Sequence, residues 1–182
     1  PIFSYVHRGL PDITETMRAL GVRSRAKAAA DQAAARIEQQ LDAIARRVAG
    51  LQRPKTLLVF GREQGTLRRV TASGGYGFLH DVLVLAGGAD ALVDLSRQSV
   101  DMSTEMILMR APEVIIELHY GDSVKPEIFD AERRVWNALA SVPAVKNQRV
   151  YLLDGLEFVV PGPRIVIAAE RIARTLHPEA FE

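Results

Sequence analysis

The sequence contains no cysteine, few aromatic residues and no long apolar run. Without cysteine, the chain cannot form disulfides, thiolate metal sites or a cysteine nucleophile. No stretch approaches the roughly 20 consecutive apolar residues that a transmembrane helix needs. The formal net charge of +1 gives no general attraction to nucleic acid or to an anionic membrane. These absences leave globular proteins that are held together by an apolar core.

The composition is typical of such a protein. Of its 182 residues, 48% are hydrophobic and 25% are charged, which suits one full domain, or one domain with a substantial piece of another. No charged and then apolar leader is present, and the chain begins at Pro1. We therefore expect a trimmed chain, whose missing leader does not reveal the original location of the protein.

The first 50 residues predict a short strand and two helices. Residues 2–6 are apolar and β-rich, and a helix follows over 11–20, between a proline and a glycine. This piece is too small to bury its own apolar face, so we expect it to need a packing partner, which this chain does not have to supply. Ser24 is the predicted N-cap of a long helix over 24–49, of roughly 38 Å. Its apolar stripe comprises Ala26, Ala30, Ala33, Ile37, Leu41, Ile44 and Val48.

From residue 55 onward, strands and helices alternate. Buried-type strands are predicted at 56–60, 113–118 and 149–153, and helices at 76–86, 126–140 and 163–176, with a short extra strand at 91–95. Continuous apolar strands separated by helices predict an α/β fold, with a mainly parallel sheet covered on both faces. Trp136, in the middle of a predicted helix, is interpreted as a core anchor.

Ligands of such sheets bind outside the carboxyl ends of the strands. That rule selects the loops 60–71, 118–124 and 154–162. Their aromatic and polar residues suit recognition of a large ligand better than proton transfer; they include Phe60, Arg62, Arg68, Arg69, His119, Tyr120, Glu157 and Phe158.

Enzyme sites find little support in the sequence. The glycines at 74, 75 and 77 lack the spacing of a dinucleotide motif and come well after the predicted strand. We interpret them as a turn that starts a helix, which Gly87 and Gly88 then end. His80 and Asp81 are adjacent, and adjacent residues on a helix point in different directions. Ser73 lacks the frame of a nucleophile elbow.

The order of several motifs resembles the ABC-transporter substrate-binding proteins for iron chelates, haem and cobalamin (the Fe/B12 periplasmic-binding domain). The matching segments are "LLVFGREQGTLR", "GFLHDVLVLAGGADAL", "MSTEMILMRAPEVIIE", "VWNALASVPAVKNQRVYLLDG" and "PGPRIVIAAERIARTLHP". The resemblance implies a three-layer Rossmann-like C-terminal lobe over 51–182. It also implies that 23–50 form the helix that joins two lobes, and that 1–22 are a remnant of the N-terminal lobe.

The resemblance also implies roles for particular residues. Members of the family carry aromatic residues and arginines toward the ligand, here Phe60, Arg62, Arg68, Tyr76, Glu157 and Phe158. The acidic residue of "MSTEMIL", Glu105, matches the position that docks onto the membrane permease. Ser103 and Glu105 also suit a helix start. The implied ligand is an iron chelate, haem or cobalamin, with no further cofactor and no metal site, in the periplasm or anchored at the cell surface.

Two other interpretations stay open at this point. One is a nucleotide- or phosphate-binding α/β enzyme. The other is a scaffold that dimerises through its Ala-rich helix. We also expect that loss of most of one lobe would leave an exposed face, through which the truncated chain can self-associate.

Overall fold

The computed structural model describes residues 2–5, 8–120 and 126–182. Helices pack on both sides of one six-stranded sheet. The helices are α1 (Pro11–Arg23), α2 (Lys27–Arg47), α3 (Phe78–Leu85), α4 (Thr104–Arg110), α5 (Pro126–Val135), α6 (Pro143–Lys146) and α7 (Ile165–Leu176). The strands are β1 (Lys55–Gly61), β2 (Val70–Gly74), β3 (Ala89–Asp90), β4 (Arg97–Met102), β5 (Val114–His119) and β6 (Val150–Asp154).

The centre of the sheet is parallel. The strand order is β4-β2-β1-β5-β6, and β3 pairs in parallel with the first residues of β1. β5 lies between β1 and β6 and runs parallel to both, with Ile116 opposite Leu58 and Tyr151. The middle of β1 and nearly all of β5 are buried, because helices cover both faces. The predicted α/β fold with a mainly parallel sheet is confirmed.

The sequence pattern misses two strands, β2 and β4. β2 pairs antiparallel with β1, and β4 pairs antiparallel with the other side of β2. The predicted loop 60–71 ends inside β2, and the extra strand predicted at 91–95 is a 3₁₀ turn, Val93–Leu95, between β3 and β4. β4 forms an edge of the sheet, and most of its side chains are exposed. Such a strand lacks the apolar pattern that identifies an inner strand.

Each face of the sheet has its own apolar core. One core joins Leu58 and Ile116 to α2, α3 and α7, and the other joins Leu57 to Ile107 and Trp136. Leu57 and Leu58 enter different cores because successive residues of a strand point to opposite faces. Trp136 is fully buried, as predicted for a core anchor. The lobe therefore has three layers.

The amino-terminal segment differs from its prediction. Residues 2–5 form no strand, and residues 6 and 7 lie outside the described residues. A strand needs a neighbour to pair with, and the described part of the sheet offers none to residues 2–5. α1 packs along α2, and Ile13 enters the core of the lobe. For Ile13, the packing partner that this helix needs therefore lies within the chain.

α2 begins later than predicted, and Ser24 is not its N-cap. Because α1 continues to Arg23, Ser24 falls at the C-terminal end of α1, where its hydroxyl donates to the Leu20 carbonyl at 2.9 Å. The 21 residues of α2 extend about 32 Å. Its buried stripe comprises Ala34, Ile37, Leu41 and Ile44. It packs on α7 and α3 and lies as a strut along the lobe.

The length and apolar character of the helices bear on whether any of them could span a lipid bilayer. Within the described ranges, no helix is at once long enough and apolar enough to cross a membrane.

Gly21 sets the distance between α1 and α2. A Cβ atom built at Gly21 would lie 2.2 Å from the Cβ of Ala30, far inside van der Waals contact. Alanine normally stabilises a helix relative to glycine. Here we expect Gly21→Ala to lower the free energy of unfolding by about 1–3 kcal/mol, because the helices must move apart. Urea unfolding followed by circular dichroism measures this change.

Two further variants make the Gly21 test specific. Gly162→Ala is the control, because its nearest neighbour would be the Val160 carbonyl oxygen at an ordinary 3.9 Å. Adding Ala30→Gly to Gly21→Ala should recover part of the loss, because it removes the facing methyl group. A Gly21→Ala protein more stable than the parent would contradict the close contact.

Candidate functional site

The carboxyl ends of β1, β5 and β6 meet at one edge of the sheet. The register places Val59 beside Glu117 and His119 beside Asp154. The segments that follow these three strands therefore emerge side by side, where open α/β sheets bind their ligands. Residues 121–125, which include 121–124 of the predicted ligand loop 118–124, lie outside the described residues.

An aromatic pocket of about 310 Å³ lies beside this edge. Its lining comprises Phe60, Tyr76, Gly77, Phe78, Leu79, Gln98, Ser99, Phe158 and Val159. The volume is at the small end of the range that is typical for ligand pockets. The structure thus brings together three of the residues predicted for ligand binding: Phe60, Tyr76 and Phe158.

Tyr76 belongs to a glycine turn, residues 74–77, between β2 and α3. Gly75 and Gly77 adopt φ angles of 59° and 98°, which favour glycine. A Cβ atom at Gly75 would lie 2.5 Å from the Val93 carbonyl oxygen. The turn starts α3, as predicted, and Gly87, with φ 87°, follows the end of the helix. Contrary to prediction, the turn leaves a strand directly, because Gly74 is the last residue of β2.

The carboxylate of Asp90 holds this turn. Its Oδ2 accepts a hydrogen bond from the Gly75 amide at 3.2 Å and lies 2.7 Å from Nδ1 of His80. Its Oδ1 accepts from the Leu92 amide at 2.8 Å. A phosphate bound at the turn would meet a carboxylate of like charge. This arrangement disfavours the nucleotide-site interpretation of the glycines.

His80 and Asp81 point in different directions, as predicted. Whereas His80 contacts Asp90, the Oδ2 of Asp81 accepts from the Leu10 amide at 2.8 Å. The two residues therefore do not form a base and its orienting carboxylate.

Arg62 faces the interior of the protein. Its guanidinium is buried between Glu117, 2.9 Å from Nε, and Glu132, 2.7 Å from Nη2. Glu132 also accepts from the Gly65 amide at 3.1 Å, and Arg62 donates to the Thr66 carbonyl at 3.0 Å. These contacts hold residues 62–66 against α5. A contact between Arg62 and a ligand would require this network to open.

Glu117 stands at the centre of the network. Nε1 of Trp136 donates to its Oε2 at 2.8 Å. Arg62 Nε and His119 Nε2 each lie 2.9 Å from its Oε1, at angles that are poor for hydrogen bonding. Burial by itself would raise the pKa of this carboxyl, but His119, Trp136 and Arg62 together hold the pKa below its usual value. Glu117 is therefore ionised at neutral pH.

Glu157 is held by Arg171 of α7. Nη1 of Arg171 donates to Oε1 of Glu157 at 2.6 Å and to the Asp154 carbonyl at 2.5 Å. The same guanidinium lies 4.9 Å from the centre of the Phe158 ring. Arg171 thus fixes the segment that brings Phe158 to the aromatic pocket.

The other predicted ligand residues, His119, Tyr120 and Arg68, lie outside the aromatic pocket. The His119 ring packs edge-on against Phe129, with ring centroids 5.5 Å apart. Tyr120 and Arg68 are exposed. Their ligand contacts stay predictions. In the part of the chain that the structure describes, no three His, Asp or Glu side chains are grouped as for a metal ion.

Glu105 is exposed in the first turn of α4. Ser103 is the N-cap of this helix, as predicted, and its Oγ accepts from the Met106 amide at 3.2 Å. The backbone N–H of Glu105 and the Ser103 hydroxyl hold the pKa of the Glu105 carboxyl below its usual value. Leu108 and Met109 are exposed one turn further along the helix. The surface of α4 therefore combines a carboxylate with apolar side chains.

Sequence reasoning missed several residues of the site. Phe78 follows the glycine turn directly, and its closeness to Tyr76 in the sequence could have identified it as a pocket residue. Gln98 and Ser99 come from β4, whose polar sequence gives no strand signal. Nothing local distinguishes Asp90 or Glu132 from a surface acid, because their burial depends on partners far away in the sequence.

Comparison with known proteins agrees with the motif resemblance. A family model described as "Periplasmic binding protein" matches residues 8–156. The vitamin B12-binding protein of Salmonella typhimurium is 26% identical over 168 residues, which cover 92% of this chain and 57% of that protein. The high-affinity heme uptake system protein IsdE of Staphylococcus aureus is 28% identical over 106 residues, 58% of this chain and 35% of that protein. The chain thus spans about 57% of the B12-binding relatives.

Solved structures share the fold. A periplasmic binding protein from Veillonella parvula has a TM-score of 0.80 at 23% identity, over 93% of this chain and 57% of that one. The periplasmic vitamin B12-binding protein of Vibrio cholerae has a TM-score of 0.78 at 22% identity, over 100% of this chain and 66% of that one.

The buried network gives a pH-dependent prediction. We expect Glu117→Gln to lower the free energy of unfolding at pH 7 by about 2–4 kcal/mol, because Arg62 stays buried with one carboxylate fewer. Since the pKa of Glu117 is lowered in the folded state, its stabilisation is present above the ordinary value of 4.5 and is lost as the pH falls through the folded-state value. The difference between parent and variant should therefore shrink at acid pH.

Urea unfolding between pH 3 and pH 7 measures this difference. Glu170→Gln is the control, because Glu170 pairs with Arg174 on the surface and should change stability by less than about 0.5 kcal/mol. Equal stability of Glu117→Gln and the parent at pH 7 would count against the network.

Proposed function

Because the chain belongs to the periplasmic binding protein family, we propose that it is part of the substrate-binding component of an ABC importer. Its ligand is a metal chelate: a ferric siderophore, haem or cobalamin. The protein binds this ligand and delivers it unchanged to a membrane permease, and is not an enzyme. The observation that carries the proposal is the aromatic pocket beside the carboxyl edge of the sheet.

The lining of the pocket suits this ligand class. Aromatic faces pack well against extended ring systems and bury a large apolar area. Tyr76 is 41% exposed and offers a hydroxyl beside its ring. The relatives named for vitamin B12 and heme support a ligand that contains a large macrocycle.

Positive charge lies on the segment between β1 and β2. Arg68 and Arg69 are exposed there, and a guanidinium can bind a carboxylate through two N–H groups. Such contacts suit the propionates of haem or an anionic siderophore. The ion pairs of Arg62 with Glu117 and Glu132 anchor the start of this segment. His119, Tyr120 and Glu157 provide further polar groups along the same edge.

We place the pocket in one wall of a cleft between two lobes. In this arrangement, residues 51–182 form one lobe, residues 23–50 the connecting helix, and residues 1–22 the end of the other lobe, where Ile13 packs against the first. A continuous helix such as α2 bends far less than a flexible linker. Closure of the cleft is then a small tilt and not a wide swing.

Delivery requires contact with a permease, so the protein acts in the periplasm or anchored at the cell surface. Glu105 is the docking residue in this proposal. Its carboxylate is exposed and its lowered pKa keeps it charged, so it can pair with a cation of the permease.

Binding by the 182-residue chain is the direct test. In isothermal titration calorimetry, we expect saturable but weak binding of one of three probes, cyanocobalamin, haemin or ferrioxamine B, because this chain supplies one wall of the proposed cleft. We expect no binding of ATP or NAD. Heat from the nucleotides alone would overturn the proposal.

The pocket itself is tested by substitution. Tyr76→Ala should weaken binding of the recognised probe by about tenfold, because one stacking face is lost. Tyr5→Ala is the control, since Tyr5 is exposed outside the pocket. Equal affinity of the Tyr76→Ala variant and the parent would place the ligand elsewhere.

Docking is tested with the importer reconstituted in nanodiscs. Glu105→Gln should weaken binding to the importer by about five- to tenfold, because one charge pair is lost, while probe affinity stays unchanged. Glu15→Gln, which changes another exposed glutamate, is the control. A Glu105→Gln protein that binds the importer like the parent would exclude Glu105 as the docking residue.

A further inference from the structure

The glycine turn, residues 74–77, carries Tyr76 into the aromatic pocket. Glycines permit the shape of this turn but provide no side-chain contacts to fix it. Gly74 pairs with Arg97 of β4, and Gly75 makes a bridge to the same residue. The turn therefore depends on its backbone contacts and on side chains that reach it from other elements.

Asp90 is such a side chain. It lies in β3, beside the start of β1, and its side chain is only 2% exposed. Its two oxygens meet three nitrogens from different parts of the chain: the Gly75 amide in the turn, Nδ1 of His80 in α3, and the Leu92 amide after β3. A buried carboxylate with three such partners is firmly placed, because any movement leaves a polar group without its bond.

We propose that Asp90 is a positioning residue for the aromatic pocket. It fixes the glycine turn and the first turn of α3, so that Tyr76 and Phe78 line the pocket before a ligand arrives. A turn that is ordered in advance loses less conformational entropy on binding. The effect on ligand binding rests on the proposed function, whereas the effect on the turn does not.

Asparagine at position 90 tests this role with little change in shape. A carboxylate offers two acceptor oxygens, whereas an amide offers one oxygen and one NH₂ donor. In Asp90→Asn, the NH₂ group would face a backbone N–H donor, the amide of either Leu92 or Gly75. In either orientation residue 90 loses at least one of its three contacts, so its side chain is held less firmly and fixes the turn less well.

Asp81 provides a matched control. It lies in α3, and its Oδ2 accepts from the amide of Leu10. In Asp81→Asn, one acceptor oxygen remains for this donor, and the contact lies away from the glycine turn. This variant should therefore leave the turn and the pocket unchanged.

The first experiment is amide hydrogen exchange on the ligand-free 182-residue chain. We expect Asp90→Asn to speed exchange at Gly75 by about tenfold, while exchange in β5 stays at the parent rate. A merely structural role would instead raise exchange in the turn and in β5 together, in step with global stability. Parent-like exchange at Gly75, or a uniform rise, would overturn the proposal. If Asp90→Asn does not fold, His80→Gln, which keeps both backbone bonds to Asp90, is expected to show a smaller but equally local rise.

The second experiment measures dissociation of the probe that the parent binds, haemin, cyanocobalamin or ferrioxamine B, by stopped flow. Asp90→Asn should release it about tenfold faster, with a smaller change in the association rate. A loosened turn with an unchanged dissociation rate would overturn the role in the pocket. If the parent binds none of the probes, the proposed function fails, and the exchange result alone decides whether Asp90 fixes the turn.

Discussion

The parallel pairing of β1, β5 and β6 is the constraint on which the candidate site depends. Parallel strands end at the same edge, so segments that are far apart in the sequence meet there. The register is firmly set, because a shift by one residue would exchange Leu57 and Leu58 between the two cores. The apolar cores thus determine where the aromatic pocket and the buried charges can form.

Buried charges connect the cores to the site. Burial of a charge is costly unless partners compensate for the lost water. Glu117 has Arg62 and Trp136, Glu132 has Arg62 and the Gly65 amide, and Asp90 has partners in the glycine turn. Arg62 and Gly65 belong to the segment that follows β1, and Gly75 belongs to the glycine turn beside the pocket. The buried charges therefore fix the positions of these segments more firmly than apolar packing alone would.

The sequence predicts the parallel strands β1, β5 and β6 and two of the helix starts because those signals are local. Apolar runs identify β1, β5 and β6, and Ser103 and the glycine turn mark where helices begin. Ser24 misleads, since a serine at the end of one helix resembles a cap for the next. β4 is missed because it is an exposed edge strand without an apolar run, and β2 because its buried residues are mostly small. The partners of Asp90 and Glu117 depend on folded contacts, so burial of these charges could not be predicted.

Trp136 has a consequence for how this protein can be observed. It is the sole tryptophan, it is shielded from water, and its indole N–H is bonded to Glu117. The excited state of an indole responds to a charge at that distance, in surroundings that screen the charge little. The protein therefore carries a built-in optical reporter, whose emission wavelength follows the electric field around Glu117 without any attached dye.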